Sequence, residues 1–179
     1  IHQDVDGMVW FATNNGVSRY DGEKFTNYGI ENGLSGKDFW AIYRQPGGDI
    51  WFGSWDGGIC KYDGEKFESF PELDEGPVAD IISDSYGNIW FGGGYWGVLN
   101  HGTGLWRYDG QDFVQFTKED GLAPDWVDSL YCADDGVIWI GHTTYGITRF
   151  NPKSEVQLVK NQSFGEQQNF DNKHEFTTY

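Results

Sequence analysis

The residues of this sequence that could bind a ligand lie in short segments, each of which follows a strand-like stretch. Aromatic rings stand there beside Asn, Asp and His side chains. A flat ring can stack on the C–H face of a sugar while neighbouring polar groups bind its hydroxyls. The alternative is that these rings pack inside the protein, since Trp is usually mostly buried. The candidate ligand-binding residues are Asn15, Trp55, Asp56, Tyr95, Trp96, His101, His142 and Tyr145.

Patterns for catalysis and metal binding are weaker. The four histidines, His2 and His174 among them, include no His-x-His or His-x-x-x-His pair, the spacings that suggest a metal site. Residues 4–7 read Asp-Val-Asp-Gly but lack the third acid and the distant Glu of a calcium loop, so an ordinary turn is predicted. Cys60 and Cys132 are predicted to be free thiols. The sequence therefore predicts no catalytic residue, no metal site and no cofactor.

Composition restricts the classes of partner. With 28 acidic and 12 basic residues, the formal net charge is −16. A phosphate backbone would be repelled, so nucleic acid is not an expected partner. No stretch approaches the roughly 18 apolar residues of a membrane-spanning helix, so membrane insertion is not expected. The sequence begins at Ile1 without an initiator Met or a signal peptide, which suggests a mature segment or a fragment.

One strand occurs four times along the chain, as an apolar residue, Trp, an apolar residue and a small residue. A spacing of about 40 residues is typical of four-stranded propeller blades, and the longer gap before the last copy indicates an insertion. Both faces of the strand are apolar, so it needs a neighbour on each side. We therefore predict that the Trp is a core residue and that the small residue makes room for a ring from the adjacent blade. The four residues are Trp10, Trp51, Trp90 and Trp139.

The other strands of each copy complete an antiparallel unit. An innermost strand precedes the Trp strand, and a second strand and an aromatic outer strand follow it across Asp- and Gly-rich turns. In the last copy the outer strand is either residues 155–159 or residues 176–179, and the sequence leaves both open. The predicted fold class is all-β, a β-propeller of four-stranded antiparallel blades. About four blades, at residues 1–28, 38–70, 78–116 and 127–179, form one unit without a second domain.

A basic residue recurs in the second strand of every copy. In the first three copies a turn Asp lies two positions later, and pairing with that Asp inside the blade is predicted. The alternative is a ring of positive charge directed at an anionic ligand. The basic residues are Arg19, Lys61, Arg107 and Arg149, and the acids are Asp21, Asp63 and Asp109.

The first copy also carries a family signature. From Asp4 to Phe25 it reads Asp-x-Asp-Gly-x-x-Trp-Phe-x-Thr-x-x-Gly-Val-Ser-Arg-Tyr-Asp-Gly-x-x-Phe, followed by Asn-Gly-Leu at 32–34. This pattern resembles the two-component regulator propeller repeat. The resemblance implies a periplasmic sensor region of a bacterial histidine kinase, often in a hybrid system that detects carbohydrate fragments, or less often a part of a secreted assembly protein. Such propellers usually have more than four blades, so it implies an excised portion, a small propeller or part of an oligomeric ring.

The expected function is a non-catalytic ligand-binding or sensing module, periplasmic or extracellular in a bacterium, with an oligosaccharide as the ligand. The alternative is a structural or protein-interaction module that associates with copies of itself or with the rest of a larger propeller. A third hypothesis is a propeller lyase of the virginiamycin B type. It rests on His101 and His142, which lie in or beside loops on the face where such lyases carry His and acids, and this is an analogy of fold alone.

Overall fold

The computed structural model describes residues 1–70, 73, 76–94, 103–123, 126–142, 146–152 and, for the backbone alone, 176–178. In these ranges the chain forms strands and short 3-10 helices, among them Ile30–Asn32 and Lys118–Asp120. The strands make four sheets of four strands, each built from consecutive strands in chain order. The predicted all-β class with four-stranded blades is therefore confirmed.

The strands have the following bounds. The first sheet contains β1 (His2–Gln3), β2 (Val9–Thr13), β3 (Gly16–Tyr20) and β4 (Phe25–Tyr28). The second contains β5 (Phe39–Arg44), β6 (Ile50–Ser54), β7 (Ile59–Tyr62) and β8 (Phe67–Phe70). The third contains β9 (Val78–Ser83), β10 (Ile89–Gly93), β11 (Gly104–Tyr108) and β12 (Phe113–Phe116). The fourth contains β13 (Ser129–Cys132), β14 (Ile138–His142), β15 (Gly146–Phe150) and β16 (Phe176–Thr178).

The outer strand of the fourth sheet is now assigned. β16 pairs antiparallel with β15, with Phe176 opposite Phe150. Of the two segments that the sequence left open, the C-terminal one is therefore the outer strand. Residues 155–159 lie outside the described residues.

In the first and third sheets, an Asp-containing turn precedes the Trp strand and fixes the Trp side chain. The Oδ1 atom of Asp4 accepts the backbone N–H of Asp6 and of Met8, at 3.0 and 2.9 Å. Its Oδ2 atom accepts the indole N–H of Trp10 at 3.0 Å, and Asp84 bonds to the indole of Trp90 in the same way at 2.9 Å. Residues 4–7 are a turn, as predicted, and the carboxylate serves that turn and the neighbouring indole.

The chain divides into two compact units, residues 1–81 and 82–179, with the division inside β9. In the first unit, the Trp10 ring packs against Phe52 and Tyr62 of the second sheet, at centroid distances of 5.6 and 5.1 Å. In the second unit, the Trp90 ring packs against Phe150 of the fourth sheet at 5.5 Å. Each unit thus has a core in which the Trp face of one sheet meets the opposite face of the next. That the whole chain forms one propeller unit stays a prediction.

Three of the four repeated tryptophans are buried as predicted, and the fourth is not. Trp10, Trp51 and Trp90 are at most 1% exposed, whereas Trp139 is 36% exposed. Its neighbours Tyr131 and Ile147 are also exposed, at 62% and 48%, so this face of the fourth sheet is less covered than the Trp faces of the other sheets.

In the second and third sheets, the Gly two positions after the Trp does make room for the next sheet, but for an aliphatic side chain where a ring was expected. A Cβ atom on Gly92 would lie 2.7 Å from the Cγ1 atom of Val127, and one on Gly53 would lie 2.7 Å from that of Val78. These valines come at the entry of the next sheet along the chain. A methyl group at either glycine would therefore push the sheets apart.

The predicted pairing with the Asp two positions later is wrong for Arg19 and Lys61. Lys61 instead forms ion pairs with Asp49, a turn acid of the same sheet, and with Glu68, at 3.7 and 3.4 Å. Arg19 lies opposite Trp10 across the β2–β3 ladder, with its guanidinium 5.6 Å from the ring centroid. Lys61 likewise lies opposite Trp51, at 5.8 Å from its ring. The turn acid Asp21 instead accepts two backbone N–H groups of its own turn, which lower its pKa. Cross-strand register places the cation on the indole, which is a favourable cation–π arrangement.

Candidate functional site

Two stacked tryptophans lie at one edge of the second sheet. Trp40 belongs to β5 and Trp55 follows directly after β6. Their ring centroids are 5.0 Å apart with an interplanar angle of 28°. Trp40 is 59% exposed although it is a large aromatic residue in a strand. This Trp40–Trp55 pair therefore presents a flat aromatic surface to solvent.

A β-bulge produces the exposure of Trp40. In the β5–β6 ladder, Phe39 pairs with Ser54 and Ala41 pairs with Gly53, so Trp40 is the extra residue of the bulge. A bulge redirects a side chain, and bulges are over-represented at sheet edges and next to active sites. The other Trp residues in strands β2, β6, β10 and β14 belong to the repeat, but Trp40 does not.

Asp38 holds both members of the pair. Its Oδ1 atom accepts the indole N–H of Trp40 at 3.0 Å. Its backbone carbonyl accepts the backbone N–H of Trp55 at 2.6 Å and the hydroxyl of Ser54 at 3.1 Å. The aromatic surface is therefore fixed in place before any ligand arrives, which reduces the entropy cost of binding.

Asp56 fixes the loop that carries Trp55. Its Oδ1 atom accepts the backbone N–H of Lys37 and of Asp38, at 2.9 and 3.0 Å, and the hydroxyl of Ser54 at 2.8 Å. Burial raises the pKa of this carboxyl, but these hydrogen bonds outweigh it and hold the pKa below its ordinary value. The predicted site residue Asp56 is thus an ionised, exposed carboxylate whose first role is to join two loops.

The predicted site residue Asn15 lies in the corresponding loop of the first sheet. Its side chain is exposed, and its backbone N–H donates to the Thr13 hydroxyl at 3.2 Å. The next residue, Gly16, donates its backbone N–H to the carbonyl of Lys37 at 2.6 Å. This bond ties the Asn15 loop to the segment that carries Asp38. Asn15, Trp55 and Asp56 are therefore brought into one region of the first unit.

His142 is a structural residue in this fold. It is buried at the end of β14, where Nδ1 contacts the carbonyl oxygen of Trp126 and Nε2 lies 2.9 Å from the Thr148 hydroxyl. A carbonyl only accepts, so Nδ1 carries the proton and Nε2 accepts from Thr148. Burial lowers the pKa of His142, which keeps the ring neutral. Both ring nitrogens are engaged inside the protein, so His142 is not included in the proposed ligand site.

Four predicted site residues lie outside the described residues: Tyr95, Trp96, His101 and Tyr145. Their roles stay predictions. Across the described part of the chain, no three His, Cys, Asp or Glu side chains lie close enough together to hold a metal ion. In the same part, no helix is both long enough and apolar enough to cross a membrane.

Trp40 is the site residue that sequence reasoning missed. The predicted innermost strand ran from Phe39 to Tyr43, which assigned Trp40 to the regular alternation. A signal was present in the alignment of the copies, because the corresponding positions hold Ala79 and Asp128. A large apolar residue at a position where other copies have small or charged ones indicates an exposed side chain with a separate role.

Sequence comparisons found no matching family model and no matching curated protein. Structural comparison found several. One match is the extracellular domain of a hybrid two-component system from B. thetaiotaomicron. It has a TM-score of 0.69 and 22% identity, over 83% of this chain and 21% of that chain. PorZ, a surface component of the type-IX secretion system of Porphyromonas gingivalis, has a TM-score of 0.67 and 16% identity, over 92% and 27%. A virginiamycin B lyase from Staphylococcus aureus has a TM-score of 0.62 and 20% identity, over 87% and 53%.

These likenesses define the class of the protein. It is an all-β repeat protein of propeller-blade type, and its structural neighbours include extracellular domains of hybrid two-component systems, in agreement with the resemblance seen in the sequence. The chain spans about a fifth to a quarter of the length of the sensor domains that it matches. Three neighbours with three different activities share the fold, so function has to be argued from the site.

Proposed function

We propose that this protein is a non-catalytic ligand-binding module of a sensing protein that acts outside the bacterial cytoplasm. Two observations support the location and the class. The sequence resembles the two-component regulator propeller repeat, and three of the matched structures are extracellular domains of bacterial regulatory systems. The proposal for the ligand rests on the site itself.

The proposed ligand is an oligosaccharide, and the observation that carries it is the exposed, stacked Trp40–Trp55 pair. A pyranose ring presents a C–H face that packs on an indole, and the outer face of Trp40 is open to receive it. The carboxylates of Asp38 and Asp56 and the amide of Asn15 lie in the surrounding loops and can bind hydroxyl groups. Because Asp38 and Asp56 already hold these loops, the surface is rigid.

Charge narrows the class of sugar. The formal net charge of the chain is −16, and two carboxylates lie beside the aromatic pair. A uronate or a sulfated sugar would be repelled by this field, whereas a neutral sugar would not. The proposed ligand is therefore a neutral oligosaccharide.

A glycan array of neutral and acidic oligosaccharides tests this function. We expect the wild-type protein to bind neutral glycans, and W40A and W55A to lose binding to the same glycans. The matched control is Y86A, which removes a 64% exposed aromatic ring from a turn of the third sheet. Absence of glycan binding by the wild type, or binding that survives both Trp substitutions, would overturn the carbohydrate proposal.

The lyase hypothesis has one favourable observation, the fold similarity to a virginiamycin B lyase. The described candidate base does not support it, because both ring nitrogens of His142 are engaged by Trp126 and Thr148. Turnover of quinupristin, the compound in that lyase structure, that is lost on chelation of metal ions would establish the lyase and contradict a non-catalytic module.

A further inference from the structure

The fourth sheet exposes the face that the other sheets use for packing. Trp139 is 36% exposed, and Tyr131, which pairs with it across the β13–β14 ladder, is 62% exposed. Ile147 on the same face is 48% exposed. Val17 of the first sheet and Leu105 of the third sheet stand at the position of Ile147, and both are at most 1% exposed. This face, formed by Tyr131, Trp139 and Ile147, is called the tryptophan face below.

The first sheet exposes the other side of this interface, which is the side that, in the second sheet, covers a Trp face. Phe11, Tyr20 and Phe25 form a three-ring cluster there, with centroid distances of 5.8 Å for Phe11–Phe25 and 4.7 Å for Tyr20–Phe25. Phe25 is 61% exposed. This cluster is called the phenylalanine face below.

The second sheet shows what such a cluster binds. Its corresponding residues are Phe52, Tyr62 and Phe67, with centroid distances of 5.8 Å for Phe52–Phe67 and 4.8 Å for Tyr62–Phe67. The two clusters therefore have nearly the same geometry. The copy in the second sheet is buried, because it covers Trp10 of the first sheet.

The second unit repeats this interface with different residues. Ile140 and Phe150 of the fourth sheet form one core with Trp90 and Leu105 of the third. In both units, then, a tryptophan face is covered by an Ile/Phe/Tyr face of the next sheet. The described residues therefore include an exposed tryptophan face and an exposed phenylalanine face that match the two sides of this interface.

We infer that the tryptophan face of the fourth sheet binds the phenylalanine face of the first sheet in a second copy of this chain, head to tail. The contact is heterologous, because two different surfaces meet, so it builds rings or open chains instead of closed two-fold dimers. Burial of the exposed aromatic and aliphatic side chains drives the association.

Charge opposes this association and gives it a salt dependence. Two copies that each carry a formal net charge of −16 repel each other. Salt screens this repulsion, and apolar contacts are not weakened by it. Association should therefore become stronger as salt concentration rises, whereas an interface held by ion pairs would become weaker.

Light scattering during size-exclusion chromatography, over a wide range of loading concentrations, tests the inference. The wild-type mass should rise above the 20.3 kDa of one chain. I147D places a carboxylate on the tryptophan face and F25D places one on the phenylalanine face, and each should weaken association on the order of tenfold or more. Y86D is the matched control, because it charges an exposed aromatic position outside both faces.

Mixing the two variants provides the decisive arm. F25D keeps an intact tryptophan face and I147D keeps an intact phenylalanine face, so an equimolar mixture should form a dimer and nothing larger. Circular dichroism of each variant verifies that it is folded. A wild type that is monomeric at every concentration, a mixture that stays monomeric, or a loss of association in Y86D would overturn the inference. The first of these results would indicate that another occupant covers the faces.

Discussion

Within the described residues, two regions expose tryptophan rings to solvent, and they do so for different reasons. At the edge of the second sheet, Trp40 and Trp55 stack on each other and are held by hydrogen bonds to Asp38. On the fourth sheet, Trp139 lies in the regular register of the repeat, at a position where Trp90 is fully buried. The first surface is outside the repeat pattern, whereas the second is the repeat's own packing surface and is partly exposed.

This difference distinguishes residues that are available to bind a ligand from residues that pack the sheets together. A residue that every copy of the repeat contains, such as Trp90, is retained because each sheet must be covered by the next one. A residue that one copy alone contains, such as Trp40, has no such packing role. Its exposure at a bulge therefore points to a ligand, and the exposure of Trp139 points to another sheet of the same kind.

The largest expected effect is on the stability of the second unit. W90A should lower the free energy of unfolding by about 3–5 kcal/mol, because it empties a buried ring site. W139A should cost only about 1–2 kcal/mol, because 36% of that residue is already exposed to water. Urea unfolding followed by circular dichroism measures both variants in the same unit. Equal losses of unfolding free energy in W90A and W139A would show that the Trp faces of the third and fourth sheets are equally covered, which would contradict the comparison.

The turn before the Trp strand gives a smaller effect. Asp84 accepts hydrogen bonds from the backbone of Tyr86 and Asn88 and from the indole of Trp90, so D84A should cost about 1–3 kcal/mol. Ala133 stands at the corresponding position of the fourth sheet and has no acceptor side chain, and Asp135 accepts the backbone N–H of Val137 in its place at 3.0 Å. A133D should raise stability by about 0.5–1.5 kcal/mol.

Thermal unfolding of D84A and A133D checks both directions. Tm should fall in the first variant and rise in the second. A fall in both would mean that the Asp cap is specific to a buried Trp strand and does not transfer to the exposed one.

The smallest expected effect is a pH dependence of thermal stability, caused by His142 on the buried face of the fourth sheet. The pKa of His142 in the folded protein lies below its ordinary value of 6.5, mainly because of burial. The unfolded chain therefore binds the proton more readily, so the contribution to stability is present above pH 6.5 and is lost as the pH falls below it. Tm of the wild type should decline on moderate acidification, and H142Q should decline less steeply. Parallel profiles would contradict a neutral, buried His142.

Sequence predicted the parts of the fold that depend on local pattern. The alternating Trp strands and the Asp- and Gly-rich turns repeat four times, and each is specified within a few residues. The sequence did not predict the exposure of Trp139, because the Trp strand of the fourth copy has the same pattern as the others. Burial of that face depends on what packs against it, which strand periodicity does not encode.

The site was predicted in part for a similar reason. Trp55 and Asp56 stood out because aromatic and acidic residues in a loop are unusual. The roles of Asp56 and His142 as internal hydrogen-bonding residues depend on partners that are 16 to 19 positions away, which no local pattern indicates. Trp40 was assigned to a regular strand because a bulge adds a single residue without changing its hydrophobic character.

Calorimetric titration of one neutral oligosaccharide from the array tests the proposed function most directly. We expect W40A and W55A each to weaken binding by about 1–3 kcal/mol, as for the truncation of an aromatic anchor. W139A should bind as the wild type does, because its ring belongs to a packing face. Unchanged affinity in W40A and W55A, or an equal loss in W139A, would contradict the assignment of the Trp40–Trp55 pair as the sugar-binding surface.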